Sequence, residues 1–207
     1  MTLHTYLLFV FASVVLALVP GPDMVYMLAR CIAQGRRAGI LAALGLNAGA
    51  YVHLSAAVLG LSAILAASSV AFTAIKWAGA AYLIYLGIGA LRSKGGPRVI
   101  SGAGGRTGRT IFWQAFWGDV LNPKVAVFFL ALLPQFVDPH TTHPTLQILL
   151  LGVTVNMICL PINIVLVAFS ARVTQALRGN ESLSRWLQRG MGALFVGLGV
   201  RLAVEKS

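Results

Sequence analysis

Charge is scarce in this chain, and acid is scarcest: five Asp and Glu in 207 residues, with charged residues at 10% altogether. Soluble domains carry about 25% charged residues, so a solvated globular surface is excluded. Cysteine is nearly absent too. Cys31 and Cys159 stand alone, with neither pairing nor metal-ligand spacing, which argues against a disulfide framework and leaves them as buried small apolar residues. No Gly-rich phosphate loop is present, so direct drive by ATP is not expected. The chain also lacks HExxH, a Cys/His cluster and a nucleophile elbow, and so supports neither a metalloprotease nor a hydrolase. With two or three carboxylates in its apolar stretches, it is short of ligands for a hard-cation cage of about six oxygens. No metal or other cofactor is expected. No basic segment precedes the first apolar run, and that run exceeds the ~7–15 residues of a cleaved signal, so it does not read as a signal peptide.

What is abundant is apolar: 58% of residues, with a mean hydropathy of +0.83. From Met1 to Pro22 there is no Asp, Glu, Lys or Arg, and from Leu3 to Ala29 the only formal charge is Asp23. An uncharged apolar stretch of about 18 or more residues reads as a membrane span. Further stretches follow at roughly 38–67, 71–92, 110–135, 145–171 and 186–205. The sequence thus predicts an all-α polytopic protein of six transmembrane helices, in one transport domain over residues 1–207. A glycine-rich, basic segment at about 93–109 reads as a flexible linker between residues 1–92 and 110–207.

The net charge of +11 would suit nucleic acid, but its distribution is topological. Six spans put both termini on one side. The opposite loops hold twelve basic residues (Arg30, Arg36, Arg37, Arg92, Lys94, Arg98, Arg106, Arg109, Arg172, Arg178, Arg185, Arg189). The termini side holds three, Lys76, Arg201 and Lys206, and Lys124 lies inside a span. The positive-inside rule puts the twelve in the cytoplasm and both termini outside. The partner is then the lipid bilayer, and nucleic acid is not expected. Trp77, Trp113, Trp117 and Trp186 lie near span ends and fit interface anchoring.

The two halves resemble one another. "PDMVYMLA" from Pro22 pairs with "PKVAVFFLA" from Pro123, and "GAAYLIYLG" from Gly79 with "GALFVGLG" from Gly192. Gly45 and Gly152 are each followed by an asparagine, Asn47 and Asn156. Three spans per half make the repeats inverted, with the first and fourth spans broken at proline. That pattern points to a secondary transporter with a midplane site. Proline frees a carbonyl and exposes helix ends, whose partial charges can hold charged groups.

Polar side chains inside the spans are few. An acid there costs about 2.5–3.5 kcal/mol on insertion scales, which makes Asp23 a functional candidate by default. Lys124 follows the matching proline. Asp119 lies one turn earlier, beside Asn122, and either contributes to the site or sits at the cytoplasmic mouth paired with a loop arginine. His53 shares a helix face with Gly45, Gly49, Ala56, Ala57 and Gly60 and should point into the bundle, as a packing residue or as a proton carrier. Asn156 and Asn163 share a face, with Pro161 expected to break the helix between them.

At "PGPDMVYMLARCIAQGRRAGILAALG", "KWAGAAYLIYLG" and "LNPKVAVFFLALLPQFV" the chain resembles the LysE/RhtB family of bacterial amino-acid exporters, over nearly its whole length. The resemblance implies export of amino acids across the bacterial inner membrane, driven by proton antiport, nearest to the homoserine/threonine/leucine type. It carries Pro20, Gly21, Pro22 and Asp23 onto the first-span motif, and Asn122, Pro123 and Lys124 onto the fourth. Asp119 departs from the family pattern.

The expected ligands are therefore an amino acid and protons. Asp23 would take the substrate ammonium; Lys124, assisted by Asn122 and freed backbone N–H groups, would take the carboxylate. Gly21, Pro22, Asn47 and Asn156 complete the expected binding set, with Asp23 and His53 as proton-coupling candidates. Lys124 could instead snorkel or pair with Asp119. Rival readings are a basic amino-acid exporter, a cation or metal-ion transporter, and an intramembrane enzyme; the last lacks a nucleophile–base pair. A homo-oligomer is compatible with the sequence.

Overall fold

The computed structural model describes residues 1–67, 105–138 and 141–170, with isolated positions elsewhere. Within them every regular element is helical. Thr2 caps the first helix, α1 (Leu3–Leu18): its Oγ1 accepts from Thr5 N–H at 3.2 Å. The chain then breaks and restarts as α2 (Pro22–Gln34), with Gly21 at the N-cap and proline at the first helical position. Gly35, at φ 84°, ends α2 in a conformation that glycine adopts without penalty. The long α3 (Arg36–Ala67) follows.

The second half opens in the same manner. Thr107 Oγ1 accepts from Thr110 N–H at 3.3 Å and starts α4 (Gly108–Val120). In both caps the two threonine hydroxyls lie 2.9 Å apart. A short α5 (Pro123–Val127) comes next, with Asn122 as its N-cap and proline again first. It widens into a π-helical turn over Phe128–Leu132 and tightens to 3-10 geometry over Leu133–Phe136. The last described helix is α6 (Pro144–Ala168).

α1 and α2 form one bent span with a 50° turn; α4 and the segment from Pro123 to Phe136 form another, with a 48° turn. The first and fourth spans are thus broken at proline as the sequence predicts. The unbroken spans, Arg36–Gly60 and Pro144–Ala168, are 25 residues each. At about 1.5 Å per residue, each exceeds the ~30 Å hydrocarbon core. Leu3, Phe11, Leu59, Leu121, Leu150 and Met157 point outward, as a lipid-facing surface requires. Trp77, Trp113, Trp117 and Trp186 are exposed as well. Most of the expected third and sixth spans, with the Gly79 and Gly192 repeat segments, and most of the linker lie outside the described residues.

The two larger apolar clusters among the described residues pack the helices together. In one, Phe9 and Leu16 of α1 meet Leu54, Phe128, Phe129, Leu132, Ile148 and Val155. In the other, Met27 and Cys31 of α2 meet Ala42, Ala43, Leu46, Ile111, Ala115 and Val167. Small residues set how closely α3 and α4 approach. A Cβ at Gly49 would lie 2.7 Å from both Asp119 Cβ and the Phe116 carbonyl oxygen, and one at Gly45 would meet the Phe112 carbonyl.

Three local expectations need correction. The small face on α3 does not extend to its far end: Ala56 is exposed and Gly60 borders open space. Pro161 does not break its helix; α6 runs continuously through it. Its missing N–H frees one carbonyl, that of Met157, a loss one turn of a long helix tolerates. Arg30 is not a loop residue: it lies within α2, only 7% exposed. Its guanidinium sits 5.2 Å over the Tyr26 ring and donates to Gln34 and Gln114, each at 3.4 Å. Gln34 in turn donates to the Arg106 carbonyl at 2.8 Å, tying the end of α2 to the start of the second half.

Candidate functional site

The proline break between α1 and α2 leaves two features facing one space. At the end of α1, the Val19 carbonyl lacks an onward helical partner; in the first turn of α2 stands Asp23. Both carry negative character, the first through the helix C-terminal partial charge and the second through its carboxylate. Lys124 answers both. Its Nζ lies 3.0 and 3.3 Å from the two Asp23 oxygens and 3.2 Å from the Val19 oxygen. Those three contacts use the three ammonium protons. The pair spans a sequence separation of 101 residues and is largely buried.

A cation in the first turn of a helix opposes the helix dipole, so Lys124 gains nothing locally from its position. Its position is explained by Asp23 and Val19 across the bundle. Lys124 thus neither snorkels nor pairs with Asp119; its ion-pair partner is Asp23.

Around the pair lies a cavity of about 40 Å³, between the two apolar clusters. Leu16 and Ala17 of α1 line it with Asp23 of α2. Leu46, Asn47 and Ala50 come from α3, and Asp119 from α4. Lys124, Val125 and Phe129 close it beside Val155, Asn156, Cys159 and Asn163. Such a space holds a water or two and is too small for an amino acid.

Of the expected binding residues, Asp23, Lys124, Asn47 and Asn156 share this cavity. Asn47 Nδ2 donates to the Asn156 backbone carbonyl at 3.2 Å, which holds α3 against α6 at the cavity wall. Gly21 and Pro22 do not line it; Pro22 is exposed at the start of α2, and Gly21 packs behind the pair, where a Cβ would collide with Asp23 Oδ1 and come within 3.0 Å of Lys124 Nζ. Asn122 does not line the cavity. Its Oδ1 caps α5 by accepting from Lys124 N–H at 3.0 Å, and its Nδ2 is buried without a partner. His53 is buried and points inward, but behind the lining: Nε2 lies 3.1 Å from the Asp119 carbonyl oxygen, and the ring stacks on Phe129 at 6.3 Å.

Asp119 is the residue the sequence left open. It is 4% exposed, it lines the cavity, and it pairs with no described arginine. The reading of Asp119 as a residue at the mouth is therefore corrected: the glycine seam draws α4 inward against α3 and buries its carboxylate. The missed signal lay in Gly45 and Gly49, four apart, which mark where α4 comes closest.

Spans broken at matching prolines, their ends meeting inside a helical bundle, are a pattern found in secondary transporters. The sequence pattern described as LysE type translocator matches residues 14–206. The chain belongs to that family. At 32% identity the chain matches an uncharacterized membrane protein of Vibrio cholerae serotype O1, over all of both chains. It is 31% identical to the homoserine/homoserine lactone efflux protein of Salmonella typhimurium over 204 residues, 98% of each chain. It is also 32% identical to an uncharacterized membrane protein of Pseudomonas aeruginosa, over 94% of this chain and 93% of that one. No solved structure matches. This LysE family protein is thus an all-helical membrane transporter, from a family of translocators rather than of enzymes.

Proposed function

We propose that this translocator exports amino acids from the bacterial cytoplasm across the inner membrane in exchange for protons, with both termini on the outer face. The observation that carries the reading is the Asp23–Lys124 pair at the two proline breaks, facing one cavity. A free amino acid bears the complementary charges, an ammonium and a carboxylate a few ångströms apart. On admission, its ammonium takes Asp23 and its carboxylate takes Lys124 with the backbone N–H groups at the start of α5. One internal ion pair is exchanged for two, so the charges stay compensated in a dry bundle, where a lone charge would be costly. The role of Asn122 is to aim Lys124 through its cap. The efflux named for the Salmonella relative supports the direction and the substrate class, neutral and homoserine-like.

Proton exchange requires a cavity group that changes protonation state during the cycle. Asp23 is the first candidate, since it must release Lys124 when substrate enters; His53 is the second, through its contact with the Asp119 backbone. A cation or metal-ion carrier is disfavoured because Lys124 places an ammonium where such an ion would sit.

The test is uptake into proteoliposomes of a panel of labelled amino acids, with and without an imposed pH gradient, for the parent and Lys124→Gln. The parent should take up amino acids faster with the gradient. The variant should lose an amino acid by about tenfold or more, while its decarboxylated amine is affected far less. Equal effects on both, or on neither, mean that Lys124 does not read the carboxylate. Metal flux without amino-acid uptake would reverse the functional reading itself.

A further inference from the structure

Lys124 is paired with an acid, but the other buried cation among the described residues is not. Arg30 of α2 is 7% exposed, and the ion pairs there are Lys124–Asp23 and Met1–Asp138. Its own contacts are neutral. Nη1 donates to Gln34 Oε1 and Nη2 to Gln114 Oε1, each at 3.4 Å, while the Tyr26 ring covers one face of the guanidinium. Bonds from a guanidinium to a carboxylate run at about 2.7–2.9 Å, so these are long. Each glutamine oxygen also has a second donor. Gln34 Oε1 accepts from Arg106 N–H at 3.3 Å. Gln114 Oε1 accepts at 3.2 Å from the Tyr26 hydroxyl, which it shares with the Ile111 carbonyl. Arg30 can therefore leave both glutamines without orphaning either oxygen.

We infer that Arg30 is a second carboxylate-binding site, on the cytoplasmic side of the central ion pair, and the first to take the substrate's carboxylate. The two terminal nitrogens that face two glutamine oxygens form the fork that one carboxylate fills with two charge-assisted bonds. That anion also compensates a positive charge that burial makes costly. An approach to the site exists. Gln114, which covers Nη2, is itself a wall of an open cavity of about 480 Å³, lined with it by Arg109, Thr110, Trp113 and Trp117 of α4. That volume is in the ~300–1,000 Å³ range of small-molecule sites. The site also points onward. Arg30 follows Asp23 by seven residues in one helix, which puts both on one face of α2, about 10 Å apart. Tyr26 and Met27 lie between them on that side, and Tyr26 ties α2 to α4 at Ile111 and Gln114. Drawing Arg30 from Gln114 removes another α2–α4 tie beside that barrier. This inference rests on the amino-acid export and the orientation proposed above: Arg30 receives the carboxylate, and Asp23 with Lys124 holds the whole zwitterion.

The experiment measures exchange of labelled L-homoserine from each face, in inside-out and right-side-out membrane vesicles, with vesicles lacking the protein as the blank. The proteins are the parent, Arg30→Gln, Arg30→Lys and Gln114→Leu. Arg30→Gln should raise KM from the cytoplasmic face by about tenfold or more, with kcat little changed. Its KM from the outer face should match the parent's, which also shows that the variant folds. Arg30→Lys keeps the charge but loses the fork and should fall between the two. Gln114→Leu removes an oxygen that competes for Nη2 and should lower the cytoplasmic KM by about threefold. The opposite signs separate ligand binding from a structural tie, for which both variants would shift KM the same way. A shift of the same sign in both therefore overturns the inference. So does a cytoplasmic KM of Arg30→Gln equal to the parent's, or an equal rise from both faces. A parent that moves neither homoserine nor any other amino acid ends the export reading, and the Arg30 site with it.

Discussion

Replacing Gly21 by alanine adds one methyl group behind the central ion pair, and the structure determines what it meets. At φ −127° and ψ −179° Gly21 is in extended backbone that any residue adopts, so alanine brings no strain of its own. Its Cβ collides with Asp23 Oδ1 and lies 3.0 Å from Lys124 Nζ and 3.4 Å from Lys124 Cδ. These are side-chain atoms and can move, but only by giving up one of the two Asp23–Lys124 contacts. A hydrogen bond to a charged group is worth about 1.5–3 kcal/mol. Alanine returns about 0.4–1 kcal/mol by restricting the unfolded chain. Gly21→Ala should therefore destabilise the protein by roughly 1–2 kcal/mol.

The decisive comparison is a second background in which the pair is replaced by apolar groups, Asp23→Ala with Lys124→Met. Such replacements are often close to neutral for stability. With the obstructing oxygen gone, Gly21→Ala should stabilise by about 0.4–1 kcal/mol, a reversal of sign. The assay is reversible denaturant unfolding in mixed micelles, read as a double-mutant cycle. A Gly21→Ala cost that is the same in both backgrounds would refute the idea that this glycine exists to seat the ion pair.

Two further outcomes are expected. Asp23→Asn should abolish uptake driven by a pH gradient, because it removes the carboxyl that exchanges a proton for Lys124 or substrate; uptake equal to the parent's would pass that role to His53, with His53→Gln the next variant. For orientation, a cysteine at Ser101 in the basic linker, with Cys31 and Cys159 removed, should react with a membrane-impermeant thiol reagent only once cells are opened. Labelling in intact cells would invert the topology.

The features legible in the sequence are those encoded within a few residues. Charge-free apolar runs predict the spans. "PGP" and "NP" predict where the first and fourth spans break, because proline cannot donate within the helix and suits its first position. Asn122, expected in the binding set, instead caps the helix that Pro123 opens. Asp23 and Lys124 stand out because a charge inside a span needs a reason, and because both follow matched prolines.

What tertiary structure alone decided are the meetings between distant segments. Asp23 and Lys124 are 101 residues apart, and only the packing of two bent spans brings them to 3.0 Å. The spacing of Asp119 from Lys124 suggests a neighbour in the helix, yet the chain breaks between them at Asn122 and Lys124 turns to α1 and α2 instead. Asp119 itself is drawn into the cavity by the close approach of α3 at Gly49. Arg30 looks like a loop cation by sequence, but the α2–α4 contact buries it against Tyr26 and Gln114. Local rules set where helices begin and break; which side chains share a cavity depends on how closely helices far apart in sequence can pack, and here glycines on α3 set that distance.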